Sequence, residues 1–447
     1  LHQRGLDFEA QTPTVSVNVF VIAVRDYMVF ESFTQGQSVL LWSGFGIAIV
    51  LGAVANKTNF CTMGAISDLV NIGDSGRMRA WLLAIAVAVL GVAVLESVGL
   101  VKIDDSFPPY RAAQLVWAEN LLGGLLFGIG MTLASGCGNK TLIRIGGGNL
   151  KSVFVLAIIA VIAYYMTNPF PGTDKTLFTE LFYHWMRPLA IDAGKAQDLG
   201  SVVAGEAAPR ARLIIGSILA VVLLAFVFKS ADFRKSFDNI LGGVVVGVAV
   251  LAAWYITSNI VINAGGETNS LRGFVQNWDF LSETPEGKPA DSRPLSSQSF
   301  SFINPMGQVF GYALNGFNSA YLTFGAMAVF GVIFGSMLWA IVSRGFRFEW
   351  FASGNDFVNH AIGAVLMGLG GVLAMGCTIG QAVTGISTLA IGSFVAFGGI
   401  VLGSALTMKV QYYKLLYPED ATFLKALVAG LADFKMLPAS FRKLDPL

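Results

Sequence analysis

A chain of 447 residues with 54% hydrophobic and only 13% charged side chains departs from ordinary soluble domains, where about a quarter of residues are charged. Mean hydropathy is +0.65, and a net charge of +1 gives no basic excess for a nucleic-acid partner. Three cysteines without a C-x-x-C pair exclude a complete disulfide framework and match no zinc pattern, and His2, His184 and His360 share no spacing. Free thiols are expected, with no metal and no cofactor.

Residues 1–37 read as an outside or interfacial segment, because the apolar stretch 14–30 is interrupted by Arg25 and Asp26. Apolar windows of about 17–23 residues, long enough to cross a hydrocarbon core of about 30 Å, then fall at 38–56, 79–101, 118–136, 151–167, 211–229, 239–257, 320–342, 361–377 and 388–408. The predicted fold is an all-α polytopic membrane protein of about nine transmembrane helices. Arg77, Arg79, Lys140, Arg144, Lys151, Lys229, Arg234, Lys235, Arg344, Arg347, Lys409 and Lys414 occupy alternate short connections or follow the last span. Positive residues stay inside, so the N-terminus is predicted outside and the C-terminus cytoplasmic. The long connections 168–210 and 258–319 then lie outside, and their Pro, Gly, Ser and acidic content suits water-exposed loops. The tail 409–447 carries an amphipathic pattern that suits a membrane surface or a protein partner.

The chain is internally duplicated. At a constant offset of 240, Gly123, Gly128, Gly130, Leu133, Ala134, Gly136 and Cys137 match Gly363, Gly368, Gly370, Leu373, Ala374, Gly376 and Cys377. With span 3 running inward and span 8 outward, the two copies are antiparallel. The predicted organisation is a first repeat over 38–167 (spans 1–4), an outside loop and connector span 5 over 168–237, and a second repeat over 238–408 (spans 6–9) containing the long loop 258–319. Each copy reads as a helix that stops at Gly-Cys and restarts, and helices broken inside a bilayer line binding sites. An offset of 200 relates the first spans, pairing Asn59 with Asn259 but Cys61 with Val261, so the third cysteine has no twin in this alignment.

The segments Asn59-Phe60-Cys61-Thr62-Met63-Gly64-Ala65, Ser135-Gly136-Cys137-Gly138-Asn139-Lys140-Thr141 and Met375-Gly376-Cys377-Thr378-Ile379-Gly380-Gln381 resemble the three cysteine motifs of the YeeE/YedE family of sulphur-compound transporters. The resemblance covers most of residues 38–408. It implies a prokaryotic cytoplasmic-membrane importer of thiosulfate, not an enzyme, with Cys61, Cys137 and Cys377 handing the ion along by sulphur-to-sulphur hydrogen bonds. It also implies a TusA-like sulphur carrier as a separate cytoplasmic partner.

The chemistry fits independently. A thiol is a weak donor and a soft, polarizable partner, and weak serial contacts favour passage. A doubly charged ion in hydrocarbon needs compensation, which the free N–H groups and positive dipole end of the helix after each Gly-Cys supply. Gly138, Asn139, Thr378 and Gly380 bring backbone and polar groups to these breaks, Thr141 and Gln381 offer first-turn donors, and Asn59 suits capping a broken helix better than binding an oxyanion. Lys140 and Arg144 serve equally as attractors of an anion and as positive-inside anchors.

Plainer readings stand beside these. Buried cysteine is often a small apolar filler, and the glycines of the duplicated segment suit helix packing. A membrane thiol-redox enzyme, a partner-docking subunit and a carrier of selenium compounds, sulphite or another sulphur species are the alternatives. Glu96, near the outer end of span 2, is the main intramembrane candidate for coupling to protons or sodium, and its place near an interface predicts a solvated side chain.

Overall fold

The computed structural model describes residues 28–264, 266–278, 289, 294–442 and 444; most of the apolar stretch 14–30 lies outside them. Nine helical spans among the described residues are long and apolar enough to cross a membrane, and each predicted window falls on one of them.

In the first half, α1 (Phe33–Lys57), the short α2 (Thr62–Ser67), α3 (Gly76–Ser97), α4 (Trp117–Leu133), the short α5 (Gly138–Gly146) and α6 (Leu150–Thr167) follow one another. Next come α7 (Ala208–Lys229), α8 (Phe237–Asn259), α9 (Ile303–Leu314), α10 (Phe324–Val342), α11 (Gly354–Leu373) and α12 (Ile391–Leu416), and α13 (Phe423–Asp433) closes the chain. Among the described residues strand is confined to two small caps. β1 (Met28–Phe30) pairs in parallel with β4 (Ile260–Ala264), which pairs antiparallel with β5 (Glu267–Ser270), and β2 (Gln114–Leu115) pairs antiparallel with β3 (Ile191–Asp192).

Lipid gives apolar helices no hydrophobic reason to associate, so close packing of small residues holds them together. A methyl group on Gly52 of α1 would lie 2.2 Å from the Val332 carbonyl oxygen of α10, and one on Gly335 would lie 1.9 Å from that of Ile49. The same closeness marks the crossing of α4 and α11. Gly123 abuts the Gly370 backbone and Gly130 abuts that of Gly363, so the two helices run in opposite directions with peptide against peptide. By contrast α7 turns Ile214, Ile218, Val221 and Val222 outward, as a peripheral span facing lipid acyl chains would.

Two features depart from the sequence reading. The segment 258–319 is not only a water-exposed loop: α9 packs against α6 and α10, with Gly307 against the backbone of Ala163 and Tyr164. At 12 residues it is too short to register as a span. Glu96 is not a solvated carboxylate. Arg111 Nη2 and Arg212 Nη1 each donate to it at 2.9 Å, and Arg212 also grips Asp198 through Nε and Nη2 at 2.9 Å each. The loop carrying Arg111 and the helix carrying Arg212 fold over the end of α3, bringing together groups 15 and 116 residues apart in the chain.

Candidate functional site

The three cysteines occupy three copies of one backbone device. Helices α1, α4 and α11 each end with a non-glycine residue in the left-handed region, Asn59 (φ 50°), Ser135 (φ 57°) and Met375 (φ 55°). The next N–H reaches back to close the helix, from Phe60 to Ala55 O at 3.1 Å, from Gly136 to Met131 O at 2.8 Å and from Gly376 to Gly371 O at 2.8 Å. This is the six-to-one bond of a Schellman cap. Left-handed backbone at a residue with a side chain costs roughly 1–3 kcal/mol and tends to collect at functional sites.

Immediately after each cap the cysteine opens a new helical turn. Its carbonyl accepts from Ala65 N at 3.0 Å (Cys61), Thr141 N at 2.9 Å (Cys137) and Gln381 N at 2.8 Å (Cys377). Each thiol therefore sits at a helix start, where backbone N–H groups lack helical partners. Gly380 N points at Cys377 Sγ, 3.4 Å away.

These devices converge. The Cys61 and Cys137 thiols are neighbours, Thr378 adjoins Cys137, and the backbone N–H of Phe302, the N-cap of α9, faces Cys377. All three cysteines are buried, at 5%, 1% and 0% exposure. Their depth follows from what leads away from them. From Cys137, α5 runs about 13 Å at 1.5 Å per residue to Gly147, whose carbonyl accepts from Arg347 N at 3.1 Å in the basic connection between α10 and α11. From Cys377 the turn Ile379–Gly385 leads to Leu389, whose carbonyl accepts from Leu199 N at 3.1 Å on the opposite face. The cysteines thus meet between the faces because neither broken helix crosses the protein alone.

Two cavities approach the breaks. One, of about 410 Å³, is lined by Asn59, Cys61, Arg77, Lys140, Arg144 and Arg347 among others. Arg77 is paired with Asp68, whereas Lys140 and Arg144 have no carboxylate partner among the described residues. Lys140 Nζ instead donates to Asn59 Oδ1 at 3.2 Å. The cavity presents uncompensated positive charge beside the Cys61 thiol, a field that concentrates anions. The other cavity, of about 590 Å³, opens on the opposite face and reaches Met375, two residues before Cys377.

Polar groups without partners gather at the same place. Thr62 Oγ1, Asn139 Oδ1 and Ser301 Oγ are buried with no hydrogen-bond partner among the described residues, and the Thr378 hydroxyl has none beyond its thiol neighbour. Buried polar groups are normally satisfied, so a cluster of exceptions marks room for a polar guest. Several sequence-level candidates have other work. The Thr141 hydroxyl donates to Cys137 O at 3.2 Å and the Gln381 amide to Ala374 O, so both brace their own breaks. Gly380 makes room for Ser301, whose Oγ would lie 2.5 Å from an added methyl, and Gly138 lies close to Ile303. Neither asparagine caps a helix start with its side chain: Asn59 Oδ1 accepts from Lys140 while its backbone closes α1, and Asn259 Nδ2 donates to Leu100 O and to Tyr255 O, each at 2.7 Å.

Sequence reasoning missed Ser301 and Tyr110. Tyr110, on the loop after α3, donates to Gly380 O at 2.7 Å, and burial raises its phenol well above the usual range, keeping the donor protonated. For Ser301 a signal existed. The offset of 240 that relates Cys137 to Cys377 also relates Phe60 to Phe300 and Cys61 to Ser301 (301 − 61 = 240), so a serine stands where the third cysteine lacked a twin.

Broken membrane spans that meet between two cavities are the architecture of a transport path. The family comparison agrees. Residues 57–406 match the family described as Sulphur transport, and the chain belongs to it. It is similar to the thiosulfate transporter TsuA of Escherichia coli (strain K12), 24% identical over 366 residues covering 76% of this chain and 86% of that protein. It is also similar to the thiosulfate transporter TsuA of Spirochaeta thermophila, 23% identical over 381 residues covering 82% of this chain and 97% of the relative.

Proposed function

We propose that this protein imports thiosulfate, or a closely similar small sulphur anion, across a prokaryotic cytoplasmic membrane, along a route through Cys377, Cys137 and Cys61. The carrying observation is the convergence of three buried cysteines, each opening a helix, between a cavity on one face and a positively charged cavity on the other. Both relatives named above are thiosulfate transporters, which supports the choice of substrate. The terminal sulphur of thiosulfate meets soft thiol donors, while its oxygens meet hydroxyl and backbone N–H groups, with Ser301 as a fourth station opposite Cys61. Thr62, Asn139, Thr378 and the backbone at Gly138 and Gly380 complete the wall.

The reading includes two inverted halves. The reciprocal contacts of Gly123 with Gly370 and of Gly130 with Gly363 support it, because an in-plane two-fold axis exchanges those pairs. In this reading the cavity of Lys140 and Arg144 faces the cytoplasm, with the C-terminus, and the N-terminus lies outside; the alternation of basic connections supports that orientation. In the cytoplasm a TusA-like sulphur carrier takes the product, and the outward face of α7 meets membrane lipid. A dianion moving into a cell held at −100 mV climbs about 4.6 kcal/mol, at ~2.3 kcal/mol per charge, so cytoplasmic consumption or a coupled cation must draw it in.

Uptake of labelled thiosulfate by cells expressing the full chain tests the proposal. Uptake that disappears in Cys137→Ala, at unchanged protein level, supports it; wild-type cells that take up none would sink it. The closeness of Cys61 to Cys137 favours one second reading, thiol-redox chemistry. A Cys61–Cys137 disulfide that forms and is reduced during turnover would decide for that reading.

A further inference from the structure

The wider cavity holds a carboxylate that the thiol route does not use. Glu119, at the start of α4, is 6% exposed, and its Oε1 has no hydrogen-bond partner among the described residues. Its one charged neighbour in the cavity is Arg187, with Nη1 3.8 Å from Oε1. That is an ion pair in reach but not a seated hydrogen bond. Arg187 belongs to the long loop 168–210 and is 41% exposed in its side chain, so it faces both the carboxylate and water.

The other lining groups, from the 109–116 segment, the end of α6, Thr176 and Phe178, and the end of α11, carry no ionisable side chain. Nearby on the same loop, Lys175 and Glu180 pair with each other at 3.1 Å. Glu119 and Arg187 are therefore left to balance one another, in a cavity that also reaches Met375, two residues before Cys377.

We propose that Glu119 and Arg187 form a proton-operated gate at the mouth of this cavity, in which a proton on the carboxylate frees the guanidinium to bind an incoming small oxyanion. Resting on the transport reading above, the gate adds what admits the anion. With the carboxylate ionised, Arg187 is occupied and a negative charge lines the passage. One proton taken from the external water neutralises Glu119 and turns Arg187 toward the guest. Linkage is reciprocal, so a bound anion must also draw a proton onto Glu119. No covalent bond changes.

The test is thiosulfate binding to the purified full-length protein at about pH 5.5 and about pH 7.5, a span on the alkaline side of the ordinary carboxyl range, with proton uptake followed in weak buffer. The wild type should bind several-fold more tightly at the lower pH and take up protons on binding. Glu119→Gln should bind equally at both values without proton uptake. Arg187→Gln should bind weakly at both, which keeps the test decisive if the first variant does not fold. Wild-type binding that is independent of pH and moves no protons overturns the gate while leaving transport untouched. Absence of thiosulfate uptake by wild-type cells overturns both.

Discussion

The two approaches to the cysteines are related by the duplication offset but differ in backbone and in chemistry. On the basic face the α1 break presents a thiol, Cys61, beside Lys140 and Arg144, which have no carboxylate partner among the described residues. On the other face the position matched at the same offset is a hydroxyl, Ser301, and the cavity holds a carboxylate with a single guanidinium. The breaks after α1, α4 and α11 share a left-handed residue and a few backbone hydrogen bonds, whereas Ser301 follows a non-helical segment just ahead of α9. Direction is then set by side chains that differ between the copies. A sulphur-and-oxygen anion meets weaker, gated attraction on one side and steady positive charge on the other.

The largest expected effect is at the point the halves share. Cys137→Ala removes the thiol beside both Cys61 and Thr378, and uptake should be lost, because the station that joins the other two leaves a gap in the route. Wild-type rates in that variant would break the comparison at its centre. Ser301→Ala should lower uptake by roughly tenfold, the equivalent of one hydrogen bond to a charged group, and Ser301→Cys should restore much of it by making the halves alike. No effect in either would remove Ser301 from the route.

Lys140→Gln sharpens the electrostatic side of the contrast. Its expected cost is a few-fold rise in half-saturating substrate, together with a shallower dependence on ionic strength, since screening acts on the field this residue supplies; an unchanged salt profile would assign the lysine to anchoring alone.

Smallest in transport, yet visible in stability, is the charge cluster that holds Glu96. Glu96→Gln leaves Arg111 and Arg212 short of a buried partner and should lower the melting temperature measurably, because breaking a buried pair costs about 3–5 kcal/mol where nothing compensates and Asp104 and Asp198 here compensate in part. Asp198 in the same cluster adds a pH signature. Burial pushes its carboxyl up, but the hydrogen bonds from Arg212 and Ser201 more than offset this and hold it below the usual aspartate value. Its contribution is therefore present at neutral pH and lost as pH falls through the folded-state value, below about 4. Thermal melts across that range should show the loss, and Asp198→Asn should flatten it.

Much of this design was readable from the chain. Apolar length found each crossing helix, and the Gly-Cys repeats found the breaks, because both signals are local. The signals that failed were relational. Helix α9 hid in a connection whose polar composition suggested water, since a dozen residues buried by neighbouring helices need no long apolar run. Glu96 looked solvated because its arginine partners come from distant segments. Asn59 fits a capping role by residue type, yet its side chain serves Lys140 and its backbone takes the left-handed turn that ends α1. Ser301 was within reach of the duplication offset, but a serine opposite a cysteine draws no notice until an unpartnered hydroxyl does.

The α4–α11 crossing carries a further consequence. Peptide backbones meet at two levels, near Gly123 and near Gly130, with only the Cβ roots of Leu126, Ala134, Leu366 and Leu373 pressed against them. Such a joint tolerates neither sliding nor tilting without collision, so it forms a fixed hub. On the proposed route, the moving parts are then expected among the short pieces beyond each cysteine and the loops above them, as shutters on a stationary frame.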